Sequence, residues 1–191
     1  MSDTIVEDST SQILRFLKQE EGIFRVPTVP TRDGKPIGNS GETIGHGRDL
    51  SKKPFSDFER KHLGLNKGRT FENDPLTDEE AEFLLVRDAT DAIDAARGVL
   101  GADVFDNLNT ARKATMVSTA FQLGREGLRG FPKMIKNVQA GVHTDAGSQR
   151  FFDEAALELL SGRSRMEPSK VFMQTPHRTS RAANMIRTGE F

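Results

Sequence analysis

The stretch "PLTDEEAEFLLVRDATDAIDAARGVLG", residues 75–101, decides the fold because it is the clearest helix of the chain. Thr77 and Glu80 match a capping box, in which each side chain binds the other residue's free backbone N–H group. Behind this start, apolar residues recur at helical spacing: Ala81, Leu84, Leu85, Ala89, Ala92, Ile93 and Ala96. The predicted helix is ~30 Å long at about 1.5 Å per residue, which is enough to link two lobes.

The chain before this helix contains a second predicted helix and a predicted β-region. "STSQILRFLKQEEG", residues 9–22, predicts a short amphipathic helix that Ser9 or Thr10 caps and Gly22 ends. Residues 23–50 lack helical periodicity, are rich in Pro, Gly and Thr, and contain the turn signal "RDGK". They predict a small, irregular antiparallel sheet.

The chain after residue 101 reads as helix throughout. Thr175 is the expected N-cap of the last helix and Pro176 its first residue. The predicted segments are "LNTARKATMVSTAFQLG" ending at Gly124, "FPKMIKNVQAG" ending at Gly141, "SQRFFDEAALELLSG" and "TPHRTSRAANMIRTG". We therefore expect a single α+β, mostly helical domain. It has a small β-containing lobe at 23–76, a linking helix at 77–100 and a helical lobe at 101–191, on which helix 9–21 packs.

Composition limits the classes of function. The chain has 191 residues and a formal net charge of −1, which does not suggest a nucleic-acid partner. It has no cysteine, and its four histidines are scattered, so we expect neither a metal site nor a cofactor. The polar N-terminus is not a signal peptide, and no apolar run approaches ~18 residues. We expect a monomer that is made in a cytoplasm and does not insert stably into a membrane.

Two features between residues 20 and 50 are candidates for chemistry. Glu21 lies at the predicted helix end, where the helix dipole and free carbonyl groups disfavour its charged form. A glutamic acid that keeps its proton can act as a general acid, although position alone favours an ordinary surface residue at a polar helix end. In "TIGHG", residues 43–47, the glycines suit either a bare strand edge for a substrate or a tight bend. Thr43 is either a water-positioning hydroxyl or a buried structural residue.

These motifs, with those of the later helices, resemble the phage-type lysozymes, glycoside hydrolase family 24. The likeness rests on Glu-Gly at 21–22, on "TIGHG", on "TDEEAEFLLVRDATDAI", on "ARKATMVSTAFQLGREGLRGF" and on "QTPHRTSRAANMIRTGEF". It extends in the same order over nearly the whole chain. It implies a two-lobed phage-lysozyme fold and hydrolysis of the β-1,4 bond between N-acetylmuramic acid and N-acetylglucosamine in bacterial peptidoglycan.

The resemblance also assigns residues. It implies that Glu21 is the general acid, that Thr43 positions a water, and that Phe121, Gln122 and Arg178 contact substrate. It further places Arg178 beside Glu21. The resemblance also implies an ion pair between Arg48 and Asp88, which would join the β-region to the linking helix.

The family's catalytic aspartate is absent from its usual spacing, so the base needs its own argument. Asp49 lies six residues after Thr43, so strand alternation returns its side chain to the face of Thr43, whereas Glu42 should point to the opposite face. The resulting order Glu, Thr, Asp is similar to that of the pesticin-type bacteriocins. Asp33, in the turn, is the alternative base, and Asp49 capping the segment "DLSKKP" is the structural alternative.

The implied biology is a phage endolysin that waits in the host cytoplasm until another protein releases it to the periplasm. The same enzyme carried in a virion, or used as an antibacterial effector, fits the sequence too. A non-catalytic peptidoglycan-binding or structural relative is the second class of function, because the usual aspartate is missing.

Overall fold

The computed structural model describes residues 8–32, 34–36, 41–144, 147–161 and 168–191. The architecture is α+β and mostly helical, which confirms the fold class expected from the sequence. The chain groups into two compact units. The β unit is Leu17–Asp88, and the helical unit is the chain up to Phe16 and from Ala89 onward. The lobe boundaries at 23–76, 77–100 and 101–191 stay a prediction.

The β unit contains two small antiparallel sheets, as its lack of helical periodicity predicts. Strands β1 (Phe24–Thr28), β4 (Thr43–Gly45) and β5 (Arg48–Asp49) form one sheet in the order β1-β4-β5. Strands β2 (Thr31–Arg32) and β3 (Lys35–Pro36) form a hairpin. Asp33, the alternative base, lies outside the described residues.

The core of the β unit is an apolar cluster between the sheet and helix α3 (Asp78–Leu100). Ile44 of β4 and Leu63 are fully buried in it, and burial of such a side chain stabilises a fold by about 1.5–3 kcal/mol. The other buried members are Phe71, Leu76, Ala81 and Leu84. A short helix, α2 (Asp57–His62), precedes Leu63 and begins with a capping box between Ser56 and Glu59. This helix was not expected from the sequence.

The helix ends follow the predicted local chemistry, with one correction. The capping box of α3 is confirmed, because Glu80 Oε2 accepts from Thr77 N at 3.0 Å and Thr77 Oγ1 from Glu80 N at 3.2 Å. Helix α1 (Ser9–Glu21) ends before Gly22, which has a φ of 64°. Its start differs from the prediction, because the Asp8 carboxylate accepts from the N–H of Ser11 at 2.8 Å.

The helical unit is built from six further helices in the described part of the chain: α4 (Ala102–Asn107), α5 (Thr110–Arg129), α6 (Pro132–Val142), α7 (Ser148–Ser161), α8 (Lys170–Gln174) and α9 (Pro176–Thr188). Helix α7 packs against α6 and α9. Gly141 lets α6 and α7 approach closely, since a Cβ atom there would lie 2.7 Å from the Phe152 ring. None of the described helices combines the length and apolar composition that crossing a membrane requires.

Two details of the helical unit concern the predicted helix ends. Helix α5 is broken at Gly124, whose φ of 70° and ψ of 177° are not helical, so the predicted stop is confirmed although a further turn follows. Thr175 stands at the N-cap position of α9, but the prediction that its side chain caps the helix is wrong. Its hydroxyl donates instead to the carbonyl of Val171 at 3.2 Å, because that carbonyl belongs to the preceding turn of α8.

Candidate active site

The C-terminal end of helix α1 is tied to the β4–β5 turn by a buried histidine. The His46 ring is almost fully buried, and its Nδ1–H donates to the backbone carbonyl of Gly22. A carbonyl oxygen can only accept, so the proton must be on Nδ1. Burial lowers the pKa of His46, against a smaller opposing effect of this hydrogen bond. His46 therefore serves as a neutral donor to a carbonyl that the end of the helix leaves free.

The next residue of this turn lies directly against the carboxyl group of Glu21. Gly47 has a φ of +90°, and a Cβ atom built on it would lie 3.0 Å from Glu21 Oε2 and 3.2 Å from Glu21 Cδ. Gly45 also has a positive φ, and its missing side chain faces Leu84 at 3.6 Å. The positive φ of both glycines confirms the tight bend in "TIGHG", and the bare edge for a substrate stays a prediction. The space beside Gly47 holds the predicted general acid.

Thr43 and Asp49 face each other across the same turn. They are directly opposed in the antiparallel pairing of β4 with β5, and side chains of such pairs lie on the same face of a sheet. The shared face predicted for Thr43 and Asp49 is thus confirmed. Gly41 joins them, since its carbonyl accepts from the Thr43 hydroxyl at 3.3 Å and its N–H donates to Asp49 Oδ2 at 3.2 Å. Glu42, between Gly41 and Thr43 in sequence, is exposed while Thr43 is buried.

Asp49 also stabilises the turn that follows it. Its Oδ1 accepts from the N–H of Ser51 at 3.0 Å and from the Ser51 hydroxyl at 2.5 Å. Its Oδ2 accepts from Lys52 Nζ at 2.8 Å in addition to Gly41 N. Partial burial would raise the pKa of Asp49, but the bonds from Lys52, Ser51 and Gly41 outweigh it and hold the pKa well below its usual range. Asp49 therefore caps the segment that begins "DLSKKP", and it stays ionised in mildly acidic solution.

Arg48, between these site residues, is anchored to two helices at once. Its Nε and Nη2 donate to Asp88 Oδ2 and Oδ1 at 2.9 and 2.6 Å, which confirms the predicted ion pair in bidentate form. The same Nη2 donates to Glu59 Oε1 of α2 at 2.8 Å. The Arg48 side chain is only 1% exposed. Burial would lower its pKa, but the bonds to Asp88 and Glu59 prevail and raise it.

The predicted substrate contacts of the helical unit include one polar pair. Arg178 is buried on α9 and donates from Nη2 to the Ser118 hydroxyl at 3.0 Å. With its side-chain amide oriented to match its neighbours, Gln122 accepts through its oxygen from Arg178 Nη1 at 2.8 Å and Nε at 3.1 Å. Phe121 is partly buried on the same helix α5 as Gln122. Their contact with substrate, and that of Arg178 with Glu21, stay predictions.

Sequence reasoning missed two participants in this region. Glu59 lies in "SDFE", which has the same Ser/Thr-x-x-Glu pattern that identified the start of α3, so a local signal was present. His46 carried no such signal, because its partner is a backbone carbonyl 24 residues away.

In the part of the chain that the structure describes, no group of three or more His, Asp or Glu side chains is arranged to hold a metal ion.

Comparison with known proteins relates the chain to a bacteriophage protein. No protein-family model matches the chain. The chain is 27% identical over 195 aligned positions to the pre-baseplate central spike protein Gp5 of Enterobacteria phage T4. The alignment covers 99% of this chain but 30% of that protein. The chain is thus similar to a segment of a larger bacteriophage protein.

Proposed function

We propose that this chain is a muramidase that hydrolyses the β-1,4 bond between N-acetylmuramic acid and N-acetylglucosamine in peptidoglycan. The observation that carries the proposal is the packing of the Glu21 carboxyl group against the bare backbone of Gly47. That packing gives one carboxyl group a defined position beside a turn that also bears Thr43 and Asp49. The motif likeness to phage-type lysozymes supports this reaction, and the similarity to a bacteriophage spike protein supports a phage-associated role.

In the proposed reaction Glu21 is the general acid. Its proton passes to the glycosidic oxygen as the bond from that oxygen to the anomeric carbon breaks, and the leaving sugar departs as an alcohol. A water molecule, held by the Thr43 hydroxyl, attacks the anomeric carbon, and its proton passes to a carboxylate base. Two carboxyl groups about 6.5–9.5 Å apart leave room for such a water in an inverting glycosidase.

The first test compares two adjacent glutamates. Glu21→Gln should lower the release of reducing ends from purified peptidoglycan by about 10²- to 10⁴-fold, the usual contribution of a general acid. Glu20→Gln is the matched control, because it makes the same change one residue earlier in α1, and it should keep near wild-type activity. If the folded wild-type protein releases no reducing ends between about pH 5 and pH 8, the chain is not a muramidase.

The base is proposed as Asp49, with Asp33 as the alternative. A carboxylate offers about four lone-pair sites, and Asp49 already accepts bonds at four of them, from Ser51 N, Ser51 Oγ, Gly41 N and Lys52 Nζ. Lys52, with a side chain that is 67% exposed, is the partner that a water most easily replaces. Asp49 as base therefore requires Lys52 to move away.

Asparagine substitutions distinguish the two aspartates. Asp49→Asn keeps an oxygen acceptor for the turn but cannot take a proton, so we expect it to abolish cleavage in folded protein. Asp33→Asn should leave cleavage near the wild-type rate. The opposite pattern would assign the base to Asp33 and leave Asp49 as a cap of the turn.

The non-catalytic alternative predicts a different pair of results. A peptidoglycan-binding or structural protein would sediment with insoluble peptidoglycan and release no reducing ends. In a muramidase, Glu21→Gln should keep sedimenting with peptidoglycan while cleavage is lost. The two assays on one variant therefore separate the classes.

The relative's name bears on delivery. Because that relative is a phage spike protein, we favour delivery of this enzyme in a virion over the free endolysin expected from the sequence. Detection of the chain in gradient-purified particles by mass spectrometry would support virion delivery. Its presence in the lysate but not in the particles would support an endolysin.

A further inference from the structure

A buried network of charges surrounds the residue between Gly47 and Asp49. Arg48 binds Asp88 through two hydrogen bonds and Glu59 through one. Two more cations complete the network, since Arg87 Nε donates to Glu59 Oε1 at 2.9 Å and Lys53 Nζ lies 2.5 Å from Asp88 Oδ1. The side chains of Glu59 and Asp88 are 4% and 10% exposed.

The Glu59 carboxylate accepts four hydrogen bonds. Its Oε2 accepts from the N–H of Ser56 at 2.8 Å and from the Ser56 hydroxyl at 2.9 Å. Its Oε1 accepts from Arg48 and Arg87. Because a capping box holds one oxygen and two arginines hold the other, Glu59 has little freedom to move, and it places the Arg48 guanidinium between α2 and α3.

The position of Arg48 determines what lies on either side of it. Backbone bonds allow two soft torsions per residue, so a fixed Arg48 restricts both of its neighbours. The preceding residue, Gly47, contacts the carboxyl group of Glu21. The following residue, Asp49, opposes Thr43. The hydrogen bonds of Arg48 thus hold in place the turn before it and the strand residue after it, which carry the proposed chemistry.

We propose that Glu59 is a positioning residue of the active site, which acts through Arg48 to hold Gly47 and Asp49 in their places beside Glu21 and Thr43. This inference rests on the proposed muramidase function for its kinetic consequence. Its structural part concerns the turn alone and can be tested without substrate.

The test uses two glutamates with the same local chemistry. Glu59→Gln removes the charge from the network while keeping an acceptor for Ser56. Glu80→Gln is the matched control, because Glu80 also occupies the third position of a capping box and pairs with an arginine, Arg69, which also donates to the carbonyls of Leu63, Asp74 and Pro75. Both proteins are compared with the wild type at a temperature at which all three are folded.

The kinetic arm measures kcat and KM on solubilised peptidoglycan. Glu59→Gln should lower kcat about tenfold, because a misplacement of about 1 Å costs ~10²-fold and the expected shift is smaller. Its KM should stay within about twofold, since Glu59 is not among the proposed substrate contacts. Glu80→Gln should change neither value by more than about twofold. Equal losses of kcat in the two variants, or no loss in Glu59→Gln, would overturn the proposal.

The second arm records the backbone amide signals of Gly47 and Asp49 by NMR in the absence of substrate. Glu59→Gln should shift or broaden both signals, and Glu80→Gln should leave them unchanged. If both signals are unchanged in Glu59→Gln, the positioning role is wrong even where wild-type cleavage confirms the muramidase. If the wild type does not cleave peptidoglycan, the NMR arm still decides whether Glu59 holds the turn.

A milder variant covers the case in which Glu59→Gln does not fold. Arg87→Ala removes one of the two donors to Glu59 Oε1 from a side chain that is 42% exposed, so the fold should tolerate it. It should reproduce the changed Gly47 and Asp49 signals to a smaller extent. Unchanged signals in Arg87→Ala would count against the proposal in the same way.

Discussion

Replacing Gly47 by alanine separates the two reasons for a glycine at this position. The first reason is the backbone, because a φ of +90° disfavours residues with a Cβ atom by roughly 1–2 kcal/mol. The second reason is the contact with Glu21, since the new methyl group would lie 3.0 Å from its Oε2 atom. That distance is tighter than most Cβ contacts and forces the carboxyl group to move by a few tenths of an ångström.

Gly68→Ala is the matched control for Gly47→Ala. Gly68 has a φ of +85° and no atom within 4 Å of its would-be Cβ. Urea denaturation should therefore show a similar loss in the free energy of unfolding for both variants, about 1–2 kcal/mol. The rate of peptidoglycan cleavage should differ between Gly47→Ala and Gly68→Ala. A shift of about 1 Å costs ~10²-fold in rate, so a shift of a few tenths corresponds to roughly three- to tenfold in kcat for Gly47→Ala alone.

Either of two results would contradict a catalytic role for the contact between Gly47 and Glu21. If Gly47→Ala keeps wild-type kcat per folded molecule, the contact between Gly47 and Glu21 has no role in catalysis. If Gly68→Ala loses as much activity as Gly47→Ala, the loss in both comes from backbone strain. A stability loss in Gly47→Ala far above that of Gly68→Ala would show that the carboxyl group of Glu21 cannot move away from the new methyl group.

Two further predictions concern stability. The pKa of His46 is lowered in the folded protein, so the unfolded chain binds the proton first as pH falls, and stability declines below the ordinary pKa of 6.5. His46→Gln should reduce that decline in urea denaturation between about pH 7.5 and pH 5.5, and an unchanged decline would contradict the lowered pKa. Gly124→Ala should cost about 1–3 kcal/mol, because its φ and ψ are accessible essentially only to glycine. A cost similar to that of an alanine substitution at Gly147, which has a φ of 81° and an open surrounding, would show that the break needs no glycine beyond the positive φ.

The parts of the fold that the sequence predicted are those with local causes. The capping box of Thr77 and Glu80 joins residues three apart, and the stops at Gly22 and Gly124 depend on the backbone of one residue. Such features are visible in a short window of sequence. The N-cap at Asp8 was not predicted, because three neighbouring residues (Asp8, Ser9 and Thr10) can all cap a helix and only packing decides among them. Ser9, one of the two expected caps, hydrogen-bonds to the Thr110 hydroxyl instead.

The parts that the sequence did not predict depend on contacts between distant segments. Arg48 meets Glu59 across 11 residues and Asp88 across 40. The charge of an arginine does not indicate which of the chain's acidic side chains will bind it. The pair with Asp88 was expected from the family likeness and not from the residues themselves. Glu59 was recognisable as a capping residue, yet its second role follows only from the position of α2 in the fold.

The segment of residues 46–48, which is the β4–β5 turn and the first residue of β5, explains why so short a motif carries so much of the proposed site. Each of its residues is committed to a different element: His46 binds the carbonyl of Gly22 at the end of α1, Gly47 makes room for Glu21, and Arg48 joins α2 and α3. Because all three serve structure, chemistry falls to the residues that flank the turn or lie against it. Thr43 and Asp49 are opposed across the turn, and Glu21 lies against its middle. A change in the turn therefore reaches every proposed catalytic group of the β unit without removing any of them.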